Sequence, residues 1–404
     1  MTEARAAASP WRIVVALGIT QIVSWGTLYY AIALLIDPLS AAVSATPATV
    51  VGAFSVALLV AGLLSSPMGA LIDRHGGRAV MTFGSALCAL LLMRLPYVHS
   101  VVELYLLWAG LGVAMAATLY DPAFAVLAQV FRERQRKAIT MLTLFGGFAS
   151  TVFWPLTQTL VSRFGWQDAV LMLAAINLAV CVPLHALALP AGAENRAPRA
   201  AKTVSRGALH AVLRDPSFYW LCAAFTGNSL VFSAMSIHLI GVLEGKGLST
   251  ADAAWVGALI GPMQVLGRIL EFTFLSKANP SRVGILAMWL LPTSLGLLAF
   301  GNGHMVLGLF ALLYGAGNGV ITIVRGAIPV ELYGAAHYGA VNGAMATPVL
   351  LAKAAGPIAA SLAFAGVGIG SALVLTLALI AAAAAALFTL TVMRSSARRA
   401  AAVS

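Results

Sequence analysis

The chain has 404 residues, only 9% of them charged and 61% hydrophobic, with a net charge of +11. A soluble domain carries roughly 25% charged residues, so this chain could not cover a water-facing surface; disorder, collagen and coiled coil are excluded by the same composition. Nor are there enough charges to build a nucleic-acid-binding face beside this much apolar surface, which leaves an integral protein of the lipid bilayer.

A membrane-spanning helix needs about 20 mostly apolar residues. Reading from the N-terminus, the first such run, roughly 12–37, follows a polar, Ala-rich start and has no A-x-A-like cleavage site, so it reads as a retained span rather than a removable signal. Five more follow at 47–72, 79–97, 101–130, 137–161 and 167–190. A hydrophilic stretch, 191–214, carries Arg196, Arg199, Lys202, Arg206 and Arg214 and reads as a solvated linker. Six further runs lie at 217–243, 251–275, 282–302, 304–330, 339–364 and 368–393. The expected organisation is therefore all-α: a six-helix bundle over 1–190, the linker, and a second six-helix bundle over 215–404. The runs are too long and continuous for barrel strands. Cys88, Cys181 and Cys222 lie inside apolar runs without CxxC spacing and read as small buried hydrophobes, with no disulfide framework and no metal site.

Basic residues give the orientation. Of 24 Lys and Arg, 18 fall at the two termini, in loops 2–3, 4–5 and 8–9, and in the linker, whereas the opposite loops hold only Arg94, Arg163 and Lys246. Both termini are thus expected in the cytoplasm. The halves also echo each other. Leu111-Gly112-Val113 and Pro122 align with Asn318-Gly319-Val320 and Pro329 at an offset of 207; Val51-Gly52 aligns with Val256-Gly257, and Pro155 with Pro357, at offsets of 205 and 202. Parallel duplicated halves are a common plan for transporters, whose substrate sites lie near the midplane between repeats.

The sharpest motif lies between spans 2 and 3: Gly69, then Asp73-Arg74-His75-Gly76-Gly77-Arg78. Gly69 permits close helix packing, Asp73 at a helix end suits a neighbouring helix N-terminus, Gly76 allows a tight turn, and the arginines suit an anionic membrane face. Spacing and location resemble the signature G-x-x-x-D-R/K-x-G-x-R/K of the major facilitator superfamily, although Ala79 stands where a further basic residue is usual. The counterpart in loop 8–9, Ser276-Lys277 and Arg282, is degraded. Arg163-Phe164-Gly165-Trp166 after span 5 adds to the likeness, which covers the whole chain. The resemblance implies two six-helix bundles that rock in alternating access, a conformational latch at Gly69, Asp73, Arg74, Gly76 and Arg78, and a cavity lined by spans 1, 4, 7 and 10.

Ionisable groups inside a membrane are retained for function. They are Asp121 on span 4, His238 on span 7, Arg268 and Glu271 on span 8, Arg325 on span 10 and Lys353 on span 11. Arg325 cannot shed its charge. It either pairs with Asp121, which lies at nearly the same depth in the repeat, or holds an anionic substrate. Arg268 and Glu271, three apart, can pair locally; the resemblance to the monocarboxylate and organic-anion carriers instead implies that an Arg on span 8 touches the substrate carboxylate. Lys353 is either paired or an anion site. Glu271, Asp121 and His238 are the candidates for carrying a coupling proton, with a structural histidine bonded to a helix carbonyl as the plainer reading of His238. Neutral cavity candidates are Gln21, Trp25, Tyr29, Tyr30, Tyr120, Trp154, Gln158, Asn228, Gln264, Tyr314 and Asn318.

The expected function is a secondary transporter of a small organic anion, foremost a carboxylate, coupled to protons or to a counter-anion. Arg325, Arg268, Tyr29, Tyr30, Tyr120, Asn228 and Asn318 would bind the substrate. The alternative is a proton-driven efflux pump for drug-like molecules, against which stands the lack of a Gly-Pro pair in span 5. No P-loop, HExxH or nucleophile elbow occurs, so an enzyme is not expected and no cofactor is implied. A monomer in the bacterial inner membrane completes the expectation.

Overall fold

In the computed structural model the described residues are 11–131, 135–190, 214–275, 278–333, 338–364 and 370–403. They divide into two compact units, Met1–Pro198 and Arg199–Ser404. The linker expected at 191–214 lies outside the described residues except for Arg214, as do Arg132 and Arg134 of loop 4–5.

The first unit runs through α1 (Trp11–Leu34), α2 (Pro47–His75), α3 (Gly77–Arg94), α4 (Val101–Phe131) and a helical stretch over Lys137–Ala188. That stretch is 52 residues long, more than twice what a bilayer needs. Gly165 breaks it, with φ 81° and ψ 164°, a conformation that costs glycine little and other residues much. It therefore makes two crossings, α5 (135–164) and α6 (166–188), so the eleven long apolar stretches among the described residues correspond to the twelve expected spans.

The second unit contains α7 (Pro216–Glu244), α8 (Thr250–Leu275), α9 (Pro280–Phe300), α10 (His304–Tyr333), α11 (Tyr338–Ala363) and α12 (Ser371–Val403). Helix starts are written locally. Thr46, Asp215 and Asn279 each precede a proline and accept a hydrogen bond from the N–H of Thr49, Ser217 and Ser281 respectively. The side chain satisfies an orphan donor, while proline at the first position gives up an N–H that had no partner anyway.

Among the departures from plain helix in the first unit, two shape the site. The α1 helix changes to a π turn at Gly26–Tyr30 and then to a 3-10 turn at Ala31–Leu34. A Cβ on Gly26 would run into the Phe153 ring of α5, so glycine lets the two helices close together. The α4 helix, expected to be continuous over 101–130, is instead broken at Leu119, whose ψ is −156°. Pro122 is the cause: it lacks an N–H and its ring clashes with the carbonyl of Thr118, four residues back.

A buried polar ladder joins α6 to α1 and α3. Asn177 Nδ2 donates to Thr27 Oγ1 at 3.1 Å, and Cys181 Sγ lies 3.8 Å from Ser24 Oγ. His185 Nε2 is 2.9 Å from Thr20 Oγ1 and its Nδ1 is 2.9 Å from Ser85 Oγ. Thr20 gives its own hydroxyl proton to Leu17 O at 3.0 Å, so His185 donates through Nε2 and accepts from Ser85 at Nδ1. A neutral imidazole is thereby satisfied on both sides, as a polar group in an apolar interior must be.

The same contact recurs in both units. A Cβ on Gly112 of α4 would meet the carbonyl of Ala57 on α2 at 2.5 Å, and one on Gly319 of α10 would collide with the carbonyl of Gln264 on α8. Each partner is shifted by the same 207 positions. The internal repeat is therefore a repeat of packing as well as of residue type.

Candidate functional site

In the first unit the site is built around the α4 break. The Thr118 carbonyl, left without its helical donor by Pro122, accepts from Nε2 of Gln21 at 2.8 Å, and the Leu119 carbonyl, which also takes the Ala123 N–H, lies 3.4 Å from the same nitrogen. Gln21 is fully buried, and its Oε1 accepts from the Trp25 indole N–H at 3.1 Å. One side chain thus closes the backbone of α4 and fixes a ring on α1. From Trp25 an aromatic network extends in both directions. Its ring lies 5.1 Å from Tyr120, which stacks on Phe124 at 5.2 Å with planes 9° apart. On the other side Trp25 meets Tyr29 at 5.1 Å, Tyr29 meets Tyr30 at 5.3 Å, and Tyr30 meets Trp154 at 5.3 Å.

The rings are not equally accessible. Tyr29, Tyr30 and Trp154 are buried, whereas Trp25, Tyr120 and Phe124 keep part of their surface. Tyr29 and Tyr30, expected to touch substrate, lie in the π turn with their rings buried in the bundle, behind the partly exposed Trp25. Trp154, through Nε1, holds the Tyr30 carbonyl at 3.1 Å. Asp121, next to Tyr120, is exposed and accepts from Ser65 Oγ of α2 at 2.7 Å.

In the second unit, glycines bring α8 and α10 together. Cβ atoms on Gly267 and Gly315 would lie 2.7 Å from the carbonyls of Ala316 and Ile260; small residues at a helix crossing let backbones touch. Arg268, one residue on, is 6% exposed and donates from Nε to the Gly319 carbonyl at 3.3 Å. Glu271 begins a π segment, Glu271–Leu275. On α10, Asn318 is buried and bonds Tyr314 O of its own helix at 2.9 Å, while Arg325, two turns further on, is exposed. Lys353 on α11 is half-buried. His238 on α7 is buried with Nε2 3.0 Å from the Pro357 carbonyl of α11. A carbonyl only accepts, so Nε2 carries the proton, and any titration of this ring occurs at Nδ1. Asn228 of α7 has its Oδ1 buried without a hydrogen-bond partner.

The loop motif is partly visible. Gly76 has φ 83° and ψ 157°, which explains the glycine, and it sits between α2 and α3. Arg78 Nε donates to Leu189 O at 2.6 Å, just past the end of α6, where a cation suits the helix C-terminus. Arg74 is exposed, and the side chain of Asp73 lies outside the described residues. The close packing expected at Gly69 is not seen, since a Cβ there would meet nothing within 4 Å; Gly77 makes the close approach instead, against Val126.

The Major Facilitator Superfamily profile matches residues 16–357. The chain belongs to that superfamily. Among curated proteins this facilitator is similar to monocarboxylate transporter 13 of Rattus norvegicus, at 27% identity over 276 residues, or 67% of this chain and 63% of that one. It is also similar to monocarboxylate transporter 11 of Homo sapiens, at 30% over 48% of this chain and 41% of that one, and to an uncharacterised 38 kDa protein of Thermoproteus tenax, at 28% over 77% and 76%. The matched region thus spans less than two thirds of the rat transporter. Two solved structures share the fold. One is a mutant of the nucleoside transporter NupG, with TM-score 0.73 and 15% identity over 95% of this chain and 99% of that one. The other is a bacterial homologue of the human lysosomal transporter Spinster, inward-facing and occupied, with TM-score 0.70 and 14% identity over 96% and 98%. The chain is thus a multi-pass membrane protein of that superfamily, and the named relatives and fold neighbours are transporters.

Sequence reading named most of these residues but missed their partners. Ser65 beside Asp121, the Gly319 carbonyl at Arg268 and the α6 ladder were not foreseen. A signal for the ladder was present: Asn177, Cys181 and His185 recur every four residues in an otherwise apolar helix, which puts them on one face.

Proposed function

We propose that this facilitator moves a small organic anion, a carboxylate in particular, by alternating access, in symport with protons or in exchange for a second anion. The observation that carries the reading is Arg268: a guanidinium that stays charged at any working pH, 6% exposed on a glycine-packed transmembrane helix. A fixed charge at such a position is expensive and is retained for function. Arg325 on α10 and Lys353 on α11 add positive charge to the same unit, and several relatives are monocarboxylate transporters.

In this reading Arg268 and Arg325 bind the carboxylate, Asn228 and Asn318 contribute amides, and Tyr120 contributes its ring, with Tyr29 and Tyr30 behind it. Glu271 or Asp121 takes up the proton, with His238 Nδ1 a further acceptor. The Gly69–Arg78 loop works as the latch of the conformational change. The protein acts as a monomer in the bacterial inner membrane with both termini in the cytoplasm.

The test is uptake of labelled carboxylates into proteoliposomes. Arg268→Ala and Arg325→Ala each lower uptake more than about tenfold, the loss expected for a charge-assisted bond of about 1.5–3 kcal/mol, with melting temperatures close to wild type. Unchanged uptake in both variants ends the anion role.

A further inference from the structure

The ring cluster of the first unit has a property that the anion reading does not use. We propose that Trp25, Tyr120 and Phe124 form a preorganised stacking face that selects substrates bearing a planar unsaturated group, with Gln21 as the residue that positions it. The proposal rests on the transporter reading above for the existence of a substrate, and it narrows that substrate to aromatic or conjugated carboxylates over short aliphatic ones.

Depth is the first support. Exposed Trp and Tyr on membrane helices usually mark the two interfaces. Trp25, however, closes the 15-residue α segment of a 24-residue span, and Tyr120 opens the 12-residue second half of a 31-residue span. Both lie away from the helix ends. Polarity is the second support. Asp121 adjoins Tyr120, is exposed, and bonds Ser65. A carboxyl exposed at that depth does not face hydrocarbon, so α4 is wetted immediately beside Tyr120.

Chemistry is the third. The polar atoms of the rings are turned into the bundle. The Trp25 N–H is held by Gln21. The Tyr120 hydroxyl is tucked against Gly146, where a Cβ would collide with it. What stays accessible is π surface, with Tyr120 and Phe124 stacked 9° from parallel and Trp25 leaning on Tyr120 at 49°. Such a face rewards stacking. It is also rigid, because Gln21 is clamped to two backbone carbonyls of α4. A ligand therefore pays no ordering cost on this side.

The experiment measures binding of pyruvate and phenylpyruvate to the purified full-length transporter, and then of indole and benzylamine. Wild type is expected to bind phenylpyruvate roughly tenfold tighter than pyruvate, the upper worth of an aromatic pair. Trp25→Leu, Tyr120→Leu and Gln21→Met should each collapse that ratio toward one, whereas Trp25→Phe preserves it. The readout is the ratio, so a general loss of folded protein does not imitate it. A wild-type ratio near one, or a ratio untouched by the three variants, overturns the proposal. If neither carboxylate binds and indole or benzylamine does, with loss in Trp25→Leu, the stacking face stands and the carboxylate reading falls. If none of the four binds, both fall.

Discussion

The two units share a scaffold and differ around α4 and its counterpart α10. Gly112 against Ala57 and Gly319 against Gln264 are the same helix contact, 207 positions apart in both partners. Pro122 and Pro329 are matched as well, yet α4 breaks at Leu119 whereas α10 runs unbroken through His304–Tyr333. The residue that receives the freed Thr118 carbonyl of α4 is Gln21. At its matched position, 207 residues on, stands Asn228, one methylene shorter, with Oδ1 left without a partner. An open helix inside a membrane persists only where other groups take up its backbone. The first unit has the side chain with that reach. The difference teaches that a proline permits a break and a neighbour's side chain decides whether it is kept. The chemistry has diverged in parallel: rings and Asp121 lie in the first unit, while Arg268, Arg325 and Lys353 lie in the second.

The shared scaffold predicts the largest effects. Gly112→Val and Gly319→Val should each destabilise by about 3 kcal/mol or more, the upper range for overpacking, and by similar amounts, as read from unfolding in detergent. A large loss in one and none in the other would break the equivalence of the two contacts. The divergent pair predicts the next effect. Gln21→Ala removes the donor to the Thr118 carbonyl and the acceptor of the Trp25 indole N–H and should cost about 2 kcal/mol, within the range for buried unsatisfied groups. Asn228→Ala removes an acceptor without a partner and should cost close to nothing. Equal losses in thermal melts would show that the two amides do the same work.

The smallest effect concerns the start of α7. Burial raises the Asp215 carboxyl, but the Ser217 N–H and the Arg398 guanidinium, 2.9 Å away, hold it below the ordinary carboxylate value overall. A group lowered in the folded state stabilises above its unfolded value, about pH 4, and loses that contribution as the pH falls through the lowered value. Asp215→Ala should therefore cost about 1 kcal/mol at neutral pH, as lost caps do. The gap between wild type and variant should narrow in melts as the pH falls below about 4 and close only below the lowered folded-state value. A gap that persists undiminished at low pH would mean that the carboxylate charge is not what stabilises the helix start.

What the sequence determined by itself is the part governed by solvent. With 9% charge and 61% hydrophobic residues, the chain had to lie in lipid, where every backbone group must be satisfied within helices. Apolar run lengths then set the spans, and the loop motif with the repeat pointed to the superfamily. Even the turn between α5 and α6 was legible, because Gly165 sits between two runs. Asp121, Arg268, Arg325 and Lys353 could be named because a charge is conspicuous in an apolar run. Tertiary structure alone decided what those charges and rings meet. That Gln21 reaches 97 residues along the chain to α4, that Arg268 finds Gly319, and that Tyr29 and Tyr30 turn inward behind Trp25 depend on helix rotation and on which glycines let backbones approach. Hydrophobic periodicity sets which face is buried; it does not specify the partner, because a partner is a matter of distance between helices and carries no mark in either one.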